Sequence, residues 1–581
     1  MIVHRFLLVS LGIETILGET TIRRRREKLK QMSTGQDVGD VYTATLERIR
    51  GQGGDRARLG MEAIMWIAYS RLPLSPDELC QALGVAIGST DLDNDNIPSI
   101  RTILNCGLGL ITVDSSSSRV RLVHFTLQEH ILANPTLFCS PHSIIAEVCL
   151  TYLNFRCIMD PSPASRPLPP TTPFLEYASR YWAAHARRQT SVGVVSLALN
   201  LFDRYDAHLS SEIHLPRQFL KPEHWGFDGF DGPTKFTVLH AGAFFGVSEI
   251  MVSLLNINKW DLNATDSFGS TALMWAARME HDAIVQMLLE REGVDPNIVD
   301  HLGRTPLSLA AKNGNRGIVE MLLVQGGVSP DGADKCGRTP LSWAAGPECW
   351  GANTEERYKR VVKMLLERNE VNPDTVDKCG RTPLSRAAES GHGEIVLMLL
   401  ERNDVNPEAK DGDGRTPLSR AVTPWMQSWE SKDPCIRVVK ILLERNDVNP
   451  NSADKSGRTP FSWAAGGGCG GIVDLLLKRG NVDPNRPDES GRTPLSWAAK
   501  NGHEKIVGML SQRNDAHPDT VDENGQTPFL KPTENNRAKA VHGQAESHDP
   551  LMIGLGGGLF GPFVSGPSSL PEPPPKRIRR F

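Results

Sequence analysis

A motif built on Gly-Arg-Thr-Pro-Leu-Ser recurs down the second half of the chain, and its spacing restricts the fold more than any other feature. The stretch GRTPLSWAA stands at 337–345 and again, letter for letter, at 491–499; near copies begin at Gly303, Gly380, Gly414 and Gly457. Counted at its Thr, the motif falls at Thr237, Thr271, Thr305, Thr339, Thr382, Thr416, Thr459, Thr493 and Thr527, in steps of 34, 34, 34, 43, 34, 43, 34 and 34 residues. A unit of this size cannot bury its own apolar face. A near-constant period therefore means units that stack and seal one another's cores.

Within a unit, Thr-Pro opens a helix: the hydroxyl caps it and Pro suits the first turn. The short helix LSWAA follows, its Ala pair leaving room for a neighbour. A second helix reads like GEIVLMLLERN (393–403), with Ile395, Val396, Met398, Leu399 and Leu400 as an apolar stripe. A turn-rich segment such as NDVNPEAKDGDG returns the chain to the next Thr. Eight such units are expected, plus a ninth that Pro532 stops early. This pattern resembles the ankyrin repeat, whose family motif is T-P-L-H-x-A-A, with Ser usually in place of His, as at Ser308, Ser342, Ser385 and Ser496. The resemblance covers roughly 234–531 and implies a solenoid that binds protein partners.

The units starting at Thr339 and Thr416 each carry nine extra residues, placed between their two helices at 346–358 and 423–435. Both additions hold Trp: Trp350 in one, Trp425 and Trp429 in the other. They read either as tolerant loops folded back on the stack or as loops that touch a partner. The letter after Ser in the motif varies instead of repeating: Trp275, Leu309, Trp343, Arg386, Arg420, Trp463, Trp497. On a helical wheel it lies about 150° from the Leu and Ala direction, so it is expected to point off the packed face as an exposed apolar and cationic ribbon. Trp and Arg dominate interface energetics, which makes the row a candidate partner surface. The other reading is that the rings cover the joint between adjacent first helices.

Residues 40–135 differ in texture. LGMEAIMWIAYSRLPLSPDELCQAL reads as two helices, the second opened by the capping box Ser75-Pro76-Asp77-Glu78. SIRTILNCGLGLITVD gives a third helix running into a strand, and SSSSRVRLVHFTLQEHIL gives a turn, a strand and a last helix, which together make a winged-helix pattern. A DNA-reading helix needs basic and amide side chains near its start. NIPSIRTILNCG offers only Arg101, which argues against nucleic acid as partner. These segments resemble the winged helix that follows the NACHT nucleotidase in fungal NLR-like proteins of the STAND class. RFLLVSLGIETILGETTIRRRREKLKQMSTG is similar to the last helices of that nucleotidase, and TTPFLEYASRYWAAHARR to the helical segment that follows. The resemblance implies ATP binding through a G-x-x-x-x-G-K-[ST] loop, but the chain has no Gly-Lys dipeptide, so no nucleotide or other cofactor is expected in it.

The expected organisation is mostly helical. Remnant nucleotidase helices occupy 1–39, a winged-helix-like domain 40–135, a helical connector 136–233, ankyrin repeats 234–531 and a disordered tail 532–581. Net charge is −4 and no apolar run can span a bilayer, which gives no reason to expect a membrane partner. Ten scattered cysteines without CxxC suit a reduced, cytoplasmic chain. The basic end Lys576, Arg577, Arg579 and Arg580 would serve a nuclear address, or else a solubilising tail. No nucleophile or metal-ligand spacing stands out, so binding is expected rather than catalysis.

Overall fold

The computed structural model describes residues 20–33, 38–159, 172–203, 235–257, 259–346, 354–423 and 433–513. After α1 (Ile22–Ser33), a compact unit holds α2 (Val38–Arg50), α3 (Gly54–Tyr69), α4 (Pro76–Gly84), α5 (Ile100–Cys106), β1 (Ile111–Asp114), β2 (Arg119–Leu122) and α6 (Phe125–Ala133). The expected capping box forms: the Glu78 amide donates to Ser75 Oγ at 3.2 Å and the Ser75 amide donates to Glu78 Oε2 at 2.6 Å. The two strands pair antiparallel from Ile111–Leu122 to Asp114–Arg119. The Val120 amide donates to the Leu74 carbonyl at 2.8 Å, pinning this wing to the turn before α4. Trp66, on α3, is the centre of the core, with Ile64, Leu79, Ile103 and Leu127 buried with it.

A helical connector follows: α7 (Pro141–Leu153), α8 (Arg156–Met159), α9 (Leu175–Ala186) and α10 (Val192–Phe202). Its aromatic side chains reach in both directions. Trp66 meets Phe174 and Tyr177 edge-on, with centroids 5.6 and 6.1 Å apart. At the other end Trp182 packs on Phe245 at 4.6 Å, and Phe202 stacks on Phe245 at 5.8 Å. Phe245 belongs to the first helix of the repeat array, and the Arg187 guanidinium donates to its carbonyl. One apolar core therefore runs from the winged helix into the array.

The array contains eight described helix pairs, from Val238–Phe245 and Ser248–Asn256 to Pro494–Lys500 and Glu504–Ser511. Thr caps the first helix, as at Thr339, whose hydroxyl accepts from the Ser342 amide at 3.2 Å. The motif's Leu and Ala residues are buried, as in Leu341, Ala344 and Ala345. The two longer units use part of their extra length as helix: their second helices run Thr354–Leu366 and Asp433–Leu443. The first of these braces the stack. Tyr358 is buried and its hydroxyl donates to the Lys312 carbonyl at 3.0 Å, while Arg357 pairs with Glu280 at 2.6 Å. Among the described residues no helix is long and apolar enough to cross a membrane.

Two expectations follow. Gly380 sits at φ +75°, and a Cβ there would lie 2.6 Å from the Gly412 backbone nitrogen of the next unit. Gly380→Ala should cost about 2 kcal/mol or more, from left-handed strain plus the clash. Gly508→Ala, with open space around it in a helix, should stabilise by about 0.5–1 kcal/mol. Urea unfolding of the two variants checks both signs. The second concerns the joint between α7 and α9. His142 and His185 share a 2.8 Å hydrogen bond between their Nδ1 atoms, and the Tyr177 hydroxyl lies 3.0 Å from His185 Nε2. Burial, with Arg71 and Arg188 nearby, pulls His142 down to about 4; burial and then His142 itself pull His185 down to about 3. The folded state prefers both rings neutral. Their contribution is complete above the ordinary value of 6.5 and declines as pH falls from there towards the depressed values. Thermal melts at pH 7 and pH 5.5 should show a loss that His185→Gln diminishes.

Candidate functional site: the aspartate spine and the turn edge

The segment linking one unit to the next is a tight turn built on a buried Asp. Asp266, Asp300, Asp334, Asp377, Asp411, Asp454 and Asp488 each stand five residues before the motif Thr, and each is buried. In every case Oδ1 accepts two backbone N–H groups, two and four residues ahead, at 2.8–3.0 Å. The Asp amide in turn donates to the carbonyl four residues on, as Asp334 does to Arg338 at 2.9 Å. The residue after the Asp then donates across to the preceding turn. His301 reaches the Phe268 carbonyl at 2.7 Å, Lys335 reaches Leu302 at 2.8 Å, Lys378 reaches Cys336 at 2.8 Å and Lys455 reaches Asp413 at 2.8 Å. The turns thus form a hydrogen-bonded edge along the array.

The second carboxylate oxygen takes the varying seventh letter. The indole Nε1 of Trp275 donates to Asp266 at 2.9 Å, Trp343 to Asp334 at 3.2 Å, Trp463 to Asp454 at 2.8 Å and Trp497 to Asp488 at 2.7 Å. Arg420 donates to Asp411, and Arg386 pairs with Asp377 at 3.5 Å while donating to the Ser342 and Gly346 carbonyls at 3.1 and 3.2 Å. Leu309 has nothing to donate, and there Arg304 covers Asp300 with Nε at 2.8 Å and Nη2 at 2.7 Å. The arginines of Gly-Arg-Thr-Pro lie over the rings: Arg338 is 3.7 Å from the Trp343 centroid and Arg458 is 3.5 Å from that of Trp463.

The expected exposure of this row is therefore corrected. Trp275 and Trp343 are 1% exposed, Leu309 3%, Arg386 7% and Arg420 4%; only Trp463 and Trp497 are half-exposed. The wheel fails because the side facing away from the Leu and Ala residues lies under the preceding turn, whose Asp supplies the acceptor. The side chains that do reach solvent on the edge are those just after the spine Asp, such as His301, Lys335, Lys378 and Lys455. Trp350, Trp425, Trp429, Lys576, Arg577, Arg579 and Arg580 lie outside the described residues, as does the ninth unit.

Residues 273–323 match the family described as ankyrin repeats (many copies), and 349–424 and 426–522 match ankyrin repeats (3 copies). The units are ankyrin repeats. Residues 49–140 match the winged helix domain of GPI inositol-deacylase, over α3 to α6. Among solved structures, the ankyrin repeat domain of Bcl-3, described as a unique member of the IkappaB protein family, is similar over 41% of this chain and 99% of its own. That similarity has 25% identity and a TM-score of 0.32. Comparison with curated proteins gives no match.

The ankyrin turns depend on their carboxylates, so the spine yields a direct expectation. Asp334→Ala leaves the Cys336 and Arg338 amides and the Trp343 indole without their acceptor and should cost about 3 kcal/mol or more. Trp343→Ala should cost about 3–5 kcal/mol through the cavity. Thermal and denaturant unfolding of both variants checks this, and an unchanged melt for Trp343→Ala would restore the exposed-ribbon reading.

Proposed function

We propose that this chain is a binding protein whose ankyrin array holds a protein partner along its turn edge. The winged helix and connector would dock or transmit as part of an NLR-like signalling assembly. The observation that carries the reading is the edge itself: a backbone ladder presenting one outward side chain per unit, in the order His301, Lys335, Lys378, Asp413, Lys455 and Glu489. Such a surface is already ordered before a partner arrives, which lowers the entropy cost of binding. The NLR-like part is supported by a GPI inositol-deacylase-type winged helix, found in NACHT proteins, beside ankyrin repeats in one chain. The unbroken core from Trp66 through Trp182 to Phe245 supports a relay role for the connector.

A photo-crosslinking residue tests the location. Placed at Lys378 or Lys455 in the full chain it should join a discrete protein partner, while the same residue at Val324, exposed on a second helix, should not. Equal labelling from all three positions removes the turn edge as the binding surface.

A further inference from the structure

The arginines of the Gly-Arg-Thr-Pro motif do not all find the same partners. In units three to five, Arg304, Arg338 and Arg381 donate through Nε to their own spine Asp at 2.8, 3.2 and 3.0 Å. Further along, the second carboxylate oxygen is already engaged. Arg420 holds Asp411, and the indoles of Trp463 and Trp497 hold Asp454 and Asp488 at 2.8 and 2.7 Å. Arg415 consequently reaches carboxylates only at 3.7 Å (Asp413) and 3.8 Å (Asp454), and its Nε and Nη1 have no hydrogen-bond acceptor. Arg458 has one long bond, from Nη2 to the Ser462 carbonyl at 3.4 Å, and its Nε has no acceptor. Aromatic faces hold both guanidinium groups in place: Arg415 lies 4.5 Å from the Trp463 centroid, and Arg458 lies 3.5 Å from that of Trp463 and 4.1 Å from that of Trp497. These are also the two rings of the row that are half-exposed. Lys500 adds a third cation, 4.9 Å from the Trp497 centroid.

We infer that the stack of Arg415, Trp463, Arg458 and Trp497 is a docking site for the carboxylate side chains of an extended acidic segment of a partner protein. A guanidinium fixed flat against an indole, with N–H groups left to donate, accepts a planar carboxylate at little further entropy cost. Burial draws Arg458 down to about 10, which still leaves it cationic at neutral pH. Asp413 and Glu489 at neighbouring turn tips are exposed and repel a continuous polyanion. Discrete carboxylates spaced along a peptide therefore fit better than a nucleic-acid backbone.

This inference rests on the array being a partner-binding surface, and its test is separable from the test of that reading. A fluorescent oligoglutamate peptide is titrated against the full chain and followed by anisotropy, beside an uncharged peptide and a single-stranded oligonucleotide. Oligoglutamate should bind tightest. The pair Arg415→Gln and Arg458→Gln should weaken it at least tenfold, while Arg357→Gln with Arg360→Gln, elsewhere on the array, leaves it unchanged. Because losing Arg458 also removes packing, Lys455→Gln with Lys500→Gln serves as a milder variant: a loss of about threefold with an unaltered melt supports the site. Oligoglutamate binding no tighter than the uncharged peptide, tighter binding of the oligonucleotide, or full affinity in the arginine pair overturns it. Failure here with successful crosslinking from Lys378 removes only the partner's chemistry; failed crosslinking with a positive titration removes only the natural location.

Discussion

The repeat array depends on a buried carboxylate at each turn. A charge taken out of water is costly unless every lone pair finds a donor. Each spine Asp meets that demand in the same way: two amides of its own turn on one oxygen, and an indole or guanidinium on the other. The carboxylate thereby fixes the turn, the turn fixes the cap of the following helix, and the helix delivers the donor back to the carboxylate. This closed circuit is local to one unit. The bonds between turns, such as Lys378 to Cys336, then join the units into an edge. It also explains why the seventh letter varies as it does. Trp and Arg alternate there because either can donate to Asp. Leu is tolerated at Leu309 because Arg304 turns both of its near nitrogens to Asp300.

Much of the fold was legible in the sequence because it is periodic. The period, the Thr-Pro cap and the Leu and Ala packing positions follow from residue types whose local physics is simple. The same holds for the winged helix, where Ser75 and Glu78 mark a helix start that forms as read. The seventh letter was misread for a physical reason. A wheel describes one helix and its two faces, whereas a helix of six to eight residues is covered at its sides by the turn that precedes it. The corrective signal was also periodic: an Asp recurs five residues before Thr305, Thr339, Thr382, Thr416, Thr459 and Thr493. A carboxylate at fixed spacing from a Trp in a packed repeat is a statement about a hydrogen bond. The brace made by Tyr358 was not legible, because it depends on where an insertion folds back.

The connector decides how the two recognisable parts relate. Its rings touch Trp66 of the winged helix at one end and Phe245 of the first repeat at the other, with His142, His185 and Tyr177 hydrogen-bonded in between. A flexible linker would let the array move independently. Continuous apolar packing instead makes the first repeat part of the same core as the winged helix, so displacement of the array loads the connector.

The array is therefore uniform in backbone and graded in how its side chains close. At its N-terminal end the rings of Trp275 and Trp343 are fully covered, and the arginines of the next units are satisfied by their own aspartates. At its C-terminal end the indoles take the aspartates with shorter bonds, which leaves Arg415 and Arg458 stacked but short of acceptors. Since the turn circuit is complete without those guanidinium groups, their donors are free to serve a ligand without weakening the fold. Structural demand and binding capacity are in this way separated along one stack: the end packed on the connector is sealed, and the far end retains cations whose hydrogen bonds the fold does not use.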